Sequence, residues 1–186
     1  METVHNNPWK ILSSQVQYDN KWIRLTEHQV INPNGGAGIY GVVHFKNLAI
    51  GVVALDEEGY IYLVGQYRFP LEQFSWEIPE GGGPLDEAPL ASAQRELLEE
   101  TGLVAKEWSL IVNIHLSNSV SDEKGLVYLA RGLEQRAPEP EETEQLTTRR
   151  IPFEQAYQMV KNHQITDSMS IAAIQKIKLM MLEKEI

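Results

Sequence analysis

Up to residue 80 the chain alternates apolar runs with turn-forming clusters, and beyond it the spacing changes. Trp22 to Val30 and Ile39 to Phe45 read as strands separated by the turn cluster Asn32-Pro33-Asn34-Gly35-Gly36. Leu48 to Leu55 and Tyr60 to Tyr67 are apolar, β-branched runs around Asp56-Glu57-Glu58-Gly59, a pattern that predicts a hairpin. Trp76-Glu77-Ile78-Pro79 reads as short and extended, because Pro79 biases its predecessor away from helix. Gly81-Gly82-Gly83-Pro84 reads as a loop by composition alone.

From Asp86 to Thr101 the period becomes helical, with Leu90, Ala93, Leu97 and Leu98 predicted to form a buried face. Asp86 is the expected N-cap, Pro89 is tolerated in the first turn, and Gly102 suits a left-handed C-terminal cap. Strands are predicted over Trp108 to His115, Gly125 to Ala130 and Leu146 to Ile151. Two helices follow, Phe153 to Asn162 and Asp167 to about Glu183. The second carries Ile171, Ile174, Ile177 and Met181 on one stripe, and its Met-rich end reads as core. Mixed strands with outer helices predict an α+β fold, an α/β/α sandwich.

A length of 186 residues suits one catalytic domain with a small appended sheet, and 42% hydrophobic residues can supply its core. No apolar run approaches the roughly 18 residues of a membrane span, and the opening METVHNNPWKIL lacks the features of a secretory signal. There is no cysteine, which excludes disulfides and thiol chemistry. The expectation is a cytoplasmic protein that does not engage membranes.

A net charge of −10 argues against binding nucleic acid, because phosphate contacts need clustered Lys and Arg. Small phosphorylated ligands remain compatible if a divalent cation neutralises the site. Two acidic clusters stand out. Pro138-Glu139-Pro140-Glu141-Glu142-Thr143-Glu144 reads as a solvated loop. The other lies on the predicted helix, where Glu96 and Glu100 share a face and Glu99 adjoins it. Asp86, Glu87, Glu96, Glu99 and Glu100 oppose Arg95 alone, and the last glutamates sit where the helix dipole disfavours anions. Such a face is either fully solvated or holds cations between its carboxylates, as hard oxygen-seeking ions require.

The whole segment reads Gly81, five residues, Glu87, seven residues, then Arg95-Glu96-Leu97-Leu98-Glu99-Glu100-Thr101-Gly102-Leu103. This resembles the Nudix box, GX5EX7REUXEEXGU with U aliphatic, at all nine specified positions of 23. The resemblance to the Nudix hydrolase family implies a loop–helix–loop against a mixed sheet and Mg²⁺- or Mn²⁺-dependent cleavage of diphosphate bonds. It implies Glu96 and Glu100 as principal metal ligands, and Glu99 as a further ligand or a group orienting water. It implies the backbone carbonyl of Glu80 as a main-chain ligand, with Arg95 and Glu87 bracing the loop through ion pairing. The glycines are not followed by Lys-Ser/Thr, so they are no P-loop.

Outside the box, three stretches resemble the ADP-ribose and nucleoside-diphosphate-sugar pyrophosphatase branch. Gln66-Tyr67-Arg68-Phe69-Pro70 and Trp76 to Gly81 correspond to a substrate-facing stretch, with Arg68 as a diphosphate contact. Ser117-Asn118-Ser119-Val120-Ser121-Asp122-Glu123 resembles the loop that carries a base or metal ligand. Glu123 takes that role, and Asp122 competes if the register slips by one. Asp19-Asn20-Lys21-Trp22-Ile23-Arg24-Leu25 resembles part of a small N-terminal sheet exchanged across a homodimer. Trp22 there either stacks on the base or packs in the dimer.

Glu80 stands where ADP-ribose enzymes often carry alanine, so its carboxylate is a candidate substrate contact besides its carbonyl. The Ser117–Glu123 loop also lacks the Pro-Gly pair common in those enzymes. The expectation is therefore a broad nucleoside-diphosphate-sugar hydrolase, yielding a nucleoside monophosphate and a sugar phosphate from ADP-ribose, GDP-mannose or UDP-glucose type substrates. Its expected division is residues 1–45 for dimerisation and base binding and residues 46–186 for hydrolysis. Dinucleoside polyphosphates, NADH and nucleoside triphosphates are alternative substrates, and a non-catalytic sensor of nucleotide sugars is the alternative of another class.

Overall fold

The computed structural model describes residues 6–136 and 146–186, so the acidic segment Pro138–Glu144 lies outside the described residues. The described chain divides into two compact units. One comprises the residues up to Lys46 together with Ser117–Glu123, and the other comprises Asn47–Leu116 and Lys124–Ile186.

The smaller unit is an antiparallel sheet of β1 (Lys10–Asp19), β2 (Ile23–Ile31) and β3 (Ala37–Phe45), with β2 in the middle. The Asn32–Gly36 cluster forms the predicted turn, closed by an Asn32 N–H donating to the Gly36 carbonyl at 2.8 Å. β1 went unpredicted: all ten of its residues are exposed, so burial imposes no alternation on them.

In the larger unit a four-stranded sheet has the order β7 (Glu80–Pro84), β4 (Asn47–Ala54), β9 (Lys124–Gln135), β8 (Leu103–His115). β4 and β9 run parallel and the other pairs are antiparallel, giving the mixed sheet. A second sheet orders β10 (Thr147–Pro152), β5 (Tyr60–Arg68) and β6 (Gln73–Glu77). β4 and β9 are apolar on both faces because helices cover both. Ile50, Val52, Ala54, Leu126 and Ala130 pack with Ala93 and Leu97 of α1 (Pro89–Thr101). Val53, Val127 and Leu129 pack with Phe153, Ala156 and Val160 of α2 (Phe153–Lys161) and with Met169, Ile174 and Ile177 of α3 (Ser168–Glu183). Met180 and Met181 are half-buried against that core. This is the α/β/α sandwich read from the sequence.

Three local expectations change. The Asp56–Gly59 turn forms, with Asp56 N–H donating to the Tyr60 carbonyl at 3.0 Å. Beyond one bridge, Leu55 with Ile61, its two strands part into different sheets. Each strand is too apolar to stop at one neighbour, and each takes partners on both edges. The Gly81–Pro84 stretch is strand rather than loop, with Ile50 opposite Gly81 and Ala49 opposite Gly82. α1 begins at Pro89, not Asp86: Ala88 is the N-cap, without a side-chain cap bond, and Pro89 at the first turn holds it extended. Gly102, at φ 69°, ends the helix as expected.

Candidate active site

The site is assembled where α1 lies against β7. The helix buries Ser92, Ala93, Glu96, Leu97 and Glu100, whereas Leu90, expected inside, is exposed. The i,i+4 glutamates therefore face protein, at 8% and 6% exposure. A buried carboxylate needs compensation. For Glu96 it is Arg95, whose Nη1 lies 2.9 Å from Glu96 Oε1 and 2.8 Å from Glu99 Oε2. Arg95 Nη2 also donates to the Gly82 carbonyl at 2.9 Å, so one guanidinium ties the helix to β7. Burial works to lower the Arg95 pKa, but the charges of Glu96 and Glu99 outweigh it and raise it. For Glu100, Oε2 accepts the backbone N–H of Glu80 at 2.9 Å.

Gly81 is required by close approach. A Cβ there would meet Cδ, Oε2 and Oε1 of Glu96 at 2.2, 2.3 and 2.4 Å. Only a bare α-carbon lets the Glu96 carboxylate rest on β7. Arg95 braces the segment as expected. Glu87 does so differently, accepting from the buried Ser92 hydroxyl at 2.6 Å; among the described residues it forms no ion pair.

A second charged group adjoins the first through Glu80. Arg68 Nε donates to both Glu77 oxygens at 3.0 Å, and its Nη2 donates to Glu77 Oε2 at 2.6 Å and Glu80 Oε1 at 2.7 Å. Burial would depress the Arg68 pKa, but Glu77, then Glu80 and Asp167, drive it upward. Burial, reinforced by the charges of Asp167 and Glu77, pushes the Glu80 carboxyl well above the usual range, against the pull of Arg68. Its Oε2 is buried without a hydrogen-bond partner. In the sequence Glu77 stands out only as part of an extended stretch, and its burial to 3% exposure is made possible by the Arg68 pairing. Asp167 caps α3 by accepting from Ser170 N–H at 2.7 Å, and Ser170 Oγ accepts the Ile78 N–H at 2.9 Å.

The structure thus brings together Arg68, Glu80, Glu96, Glu99 and Glu100 in the larger unit. Trp22 and Glu123 belong to the smaller one. Trp22 precedes β2, is 57% exposed, and has Lys21 Nζ 4.1 Å above its ring. Glu123 is half-buried and donates its backbone N–H to Ser121 Oγ at 3.4 Å. Asp122 accepts from Phe45 N–H at 2.9 Å and pairs with His44 Nδ1 at 2.8 Å. Burial opposes its ionisation, but those two donors hold its pKa below the ordinary value.

Among the described residues no three His, Asp or Glu side chains converge as a ready metal cage. The donor set nevertheless suits a hard divalent cation. It consists of carboxylate oxygens, one of them buried and unbonded, and such ions complete their shell with water and substrate phosphates.

Residues 9–43 match the model of a nucleoside diphosphate sugar hydrolase N-terminal domain, and residues 45–172 match the NUDIX domain. An ADP-ribose pyrophosphatase of Mycobacterium tuberculosis is 35% identical over 89% of this chain and 81% of its own. One of Bacillus subtilis is 33% identical over 91% and 92%. The solved structure of an ADP compounds hydrolase superposes with a TM-score of 0.86 over 98% of both chains at 17% identity, a likeness of fold. Nudix hydrolases generally use divalent metal ions. A complete box, folded with Glu96 of its helix resting on a glycine strand, within a domain matched over residues 45–172, places the chain in the Nudix hydrolase family.

Proposed function

We propose that the protein hydrolyses the diphosphate bond of nucleoside diphosphate sugars, with ADP-ribose, GDP-mannose and UDP-glucose as the substrate type. The products are a nucleoside monophosphate and a sugar phosphate. The observation that carries this reading is the pairing of the two matched regions, a nucleoside-diphosphate-sugar hydrolase N-terminal sheet followed directly by an intact NUDIX domain.

Glu96, Glu99 and Glu100, the Glu80 carbonyl and Glu123 would hold Mg²⁺ or Mn²⁺. When bound, the ion neutralises diphosphate charge and acidifies water. The chain's own residues do the rest. Arg95 holds Glu96 and Glu99 at β7, and the Glu80 N–H orients Glu100. Arg68, whose Nε and Nη2 are held by Glu77 and Glu80, brings its charge and its Nη1 donors to phosphate oxygens. Glu80 supplies a further carboxylate beside it. Glu123 takes the proton from the attacking water, a base outside the helix as general-base chemistry allows. Asp122 is committed to β3 through both carboxylate oxygens. Trp22, largely exposed, offers a face to a nucleobase. We further propose a cytoplasmic homodimer that exchanges its N-terminal sheet, residues 1–45 serving dimerisation and base binding and residues 46–186 hydrolysis.

The test is a substrate panel with Mg²⁺ in ¹⁸O-labelled water. Release of a nucleoside monophosphate and a sugar phosphate, with label in one of them, supports the reading. Absence of turnover on every diphosphate sugar, with turnover of another nucleotide, refutes it.

A further inference from the structure

We infer that His44 and Asp122 form a latch that fixes the Ser117–Glu123 segment to the edge of β3 and so positions Glu123. The role of Glu123 rests on the proposed hydrolase reading; the latch itself rests on hydrogen bonds within the smaller unit. Ser117–Ser121 is a closed turn, since the Ser117 carbonyl accepts Val120 N–H at 3.0 Å and Ser121 N–H at 2.8 Å. That turn docks along β3. Val43 N–H donates to the Val120 carbonyl at 2.8 Å, and Asp122 N–H donates to the Val43 carbonyl at 3.2 Å. Tyr40 OH donates to the Ser119 carbonyl at 2.6 Å.

The side chain of Asp122 completes the attachment. Oδ1 accepts Phe45 N–H at 2.9 Å and Oδ2 lies 2.8 Å from His44 Nδ1. An ionised carboxylate only accepts, so Nδ1 is the donor. Asp122, anchored in this way, is the immediate neighbour of Glu123, whose α-carbon is held one peptide, about 3.8 Å, from it. Exposed pairs of this kind contribute little to global stability, and His44 and Asp122 are 39% and 51% exposed. Their energetic weight falls on the local course of the segment. His44 and Asp122 are therefore positioning residues, acting through Glu123.

The experiment compares wild type, His44→Ala, Asp122→Ala and His44→Asn, the last keeping a side-chain N–H near the Nδ1 position. Two readouts are taken: amide hydrogen exchange at Phe45 and Asp122, and kcat and KM on ADP-ribose with Mg²⁺. Both alanine variants should speed exchange at those amides about tenfold or more, as local opening does, with the rest of the chain unchanged. Their kcat should fall by about 10- to 100-fold from misplacement of the base, with KM within about threefold. His44→Asn should restore both. Unchanged exchange overturns the latch, and faster exchange with undiminished kcat overturns its positioning role. If wild type turns over another diphosphate sugar but not ADP-ribose, kcat is read on that sugar; if it turns over none, the functional reading fails separately, and exchange alone decides whether the latch exists.

Discussion

Gly81→Ala separates the catalytic demand on Glu96 from its structural one. An added Cβ would lie 2.2 Å from the Glu96 Cδ, and ordinary contact begins at 3.4 Å, so the carboxylate must retreat by 3.4 − 2.2 = 1.2 Å. Gly81 lies in strand β7 without a positive φ, so alanine is not strained there. Loss of unfolded-chain freedom should stabilise the variant by about 0.4–1 kcal/mol. Pushing Glu96 off its rotamer should cost about 0.5–1.5 kcal/mol. The two nearly cancel, and the melting temperature should shift by no more than about 4 °C. A 1 Å misplacement of a working group costs roughly 100-fold in rate, or about 2.7 kcal/mol of barrier. The assays are thermal melting followed by circular dichroism, and kcat on ADP-ribose at saturating Mg²⁺. Wild-type kcat in a folded variant would refute the assignment of Glu96. A melting temperature lower by more than about 10 °C would show that backbone, not carboxylate, yields, and would refute the steric argument.

Glu100→Gln keeps an acceptor for the Glu80 N–H, so the fold should persist while kcat drops by about 100-fold or more, checked by turnover and circular dichroism. Glu80→Gln should raise the melting temperature of chelator-treated protein at pH 8 and change it little near pH 4. Burial and the charges of Asp167 and Glu77 raise the folded carboxyl pKa above the ordinary glutamate value. The folded state therefore binds the extra proton, and wild-type stability falls as pH climbs above about 4.3. Melting curves across that range check the sign. Ser170→Ala leaves the buried Ile78 N–H without its acceptor and should cost about 1–3 kcal/mol by denaturant unfolding.

Local requirements are legible in the sequence. The Gly102 terminator, the Arg95-to-Glu99 pair and the shared face of Glu96 and Glu100 all follow from helical spacing within α1. Burial that depends on distant chain is not legible in this way. Composition marks Gly81–Pro84 as loop, yet β4 makes it strand, and Gly81 is there because the Glu96 side chain of the helix rests on it. Asp86 is a good capping residue by type, but Pro89 fixes the helix start three residues later. Glu77 and Ser170 carry no motif. Their importance arises from Arg68, nine positions after which Glu77 falls, and from Ile78, separated from Ser170 by 92 positions. Such pairings leave no periodic trace.

The docked turn on β3 also bears on how the chain is made. Its contacts join residues 77 to 79 positions apart. At about 5–20 residues per second, the ribosome delivers Asp122 roughly 4 to 16 s after β3 has emerged. Through that interval the outer edge of β3 has donors and acceptors at Val43 and Phe45 that only the later segment will satisfy. An open strand edge is a template for pairing with other chains. The nascent chain is therefore most vulnerable to misassociation between those two moments, and a fragment ending at Lys46 would keep that vulnerability permanently.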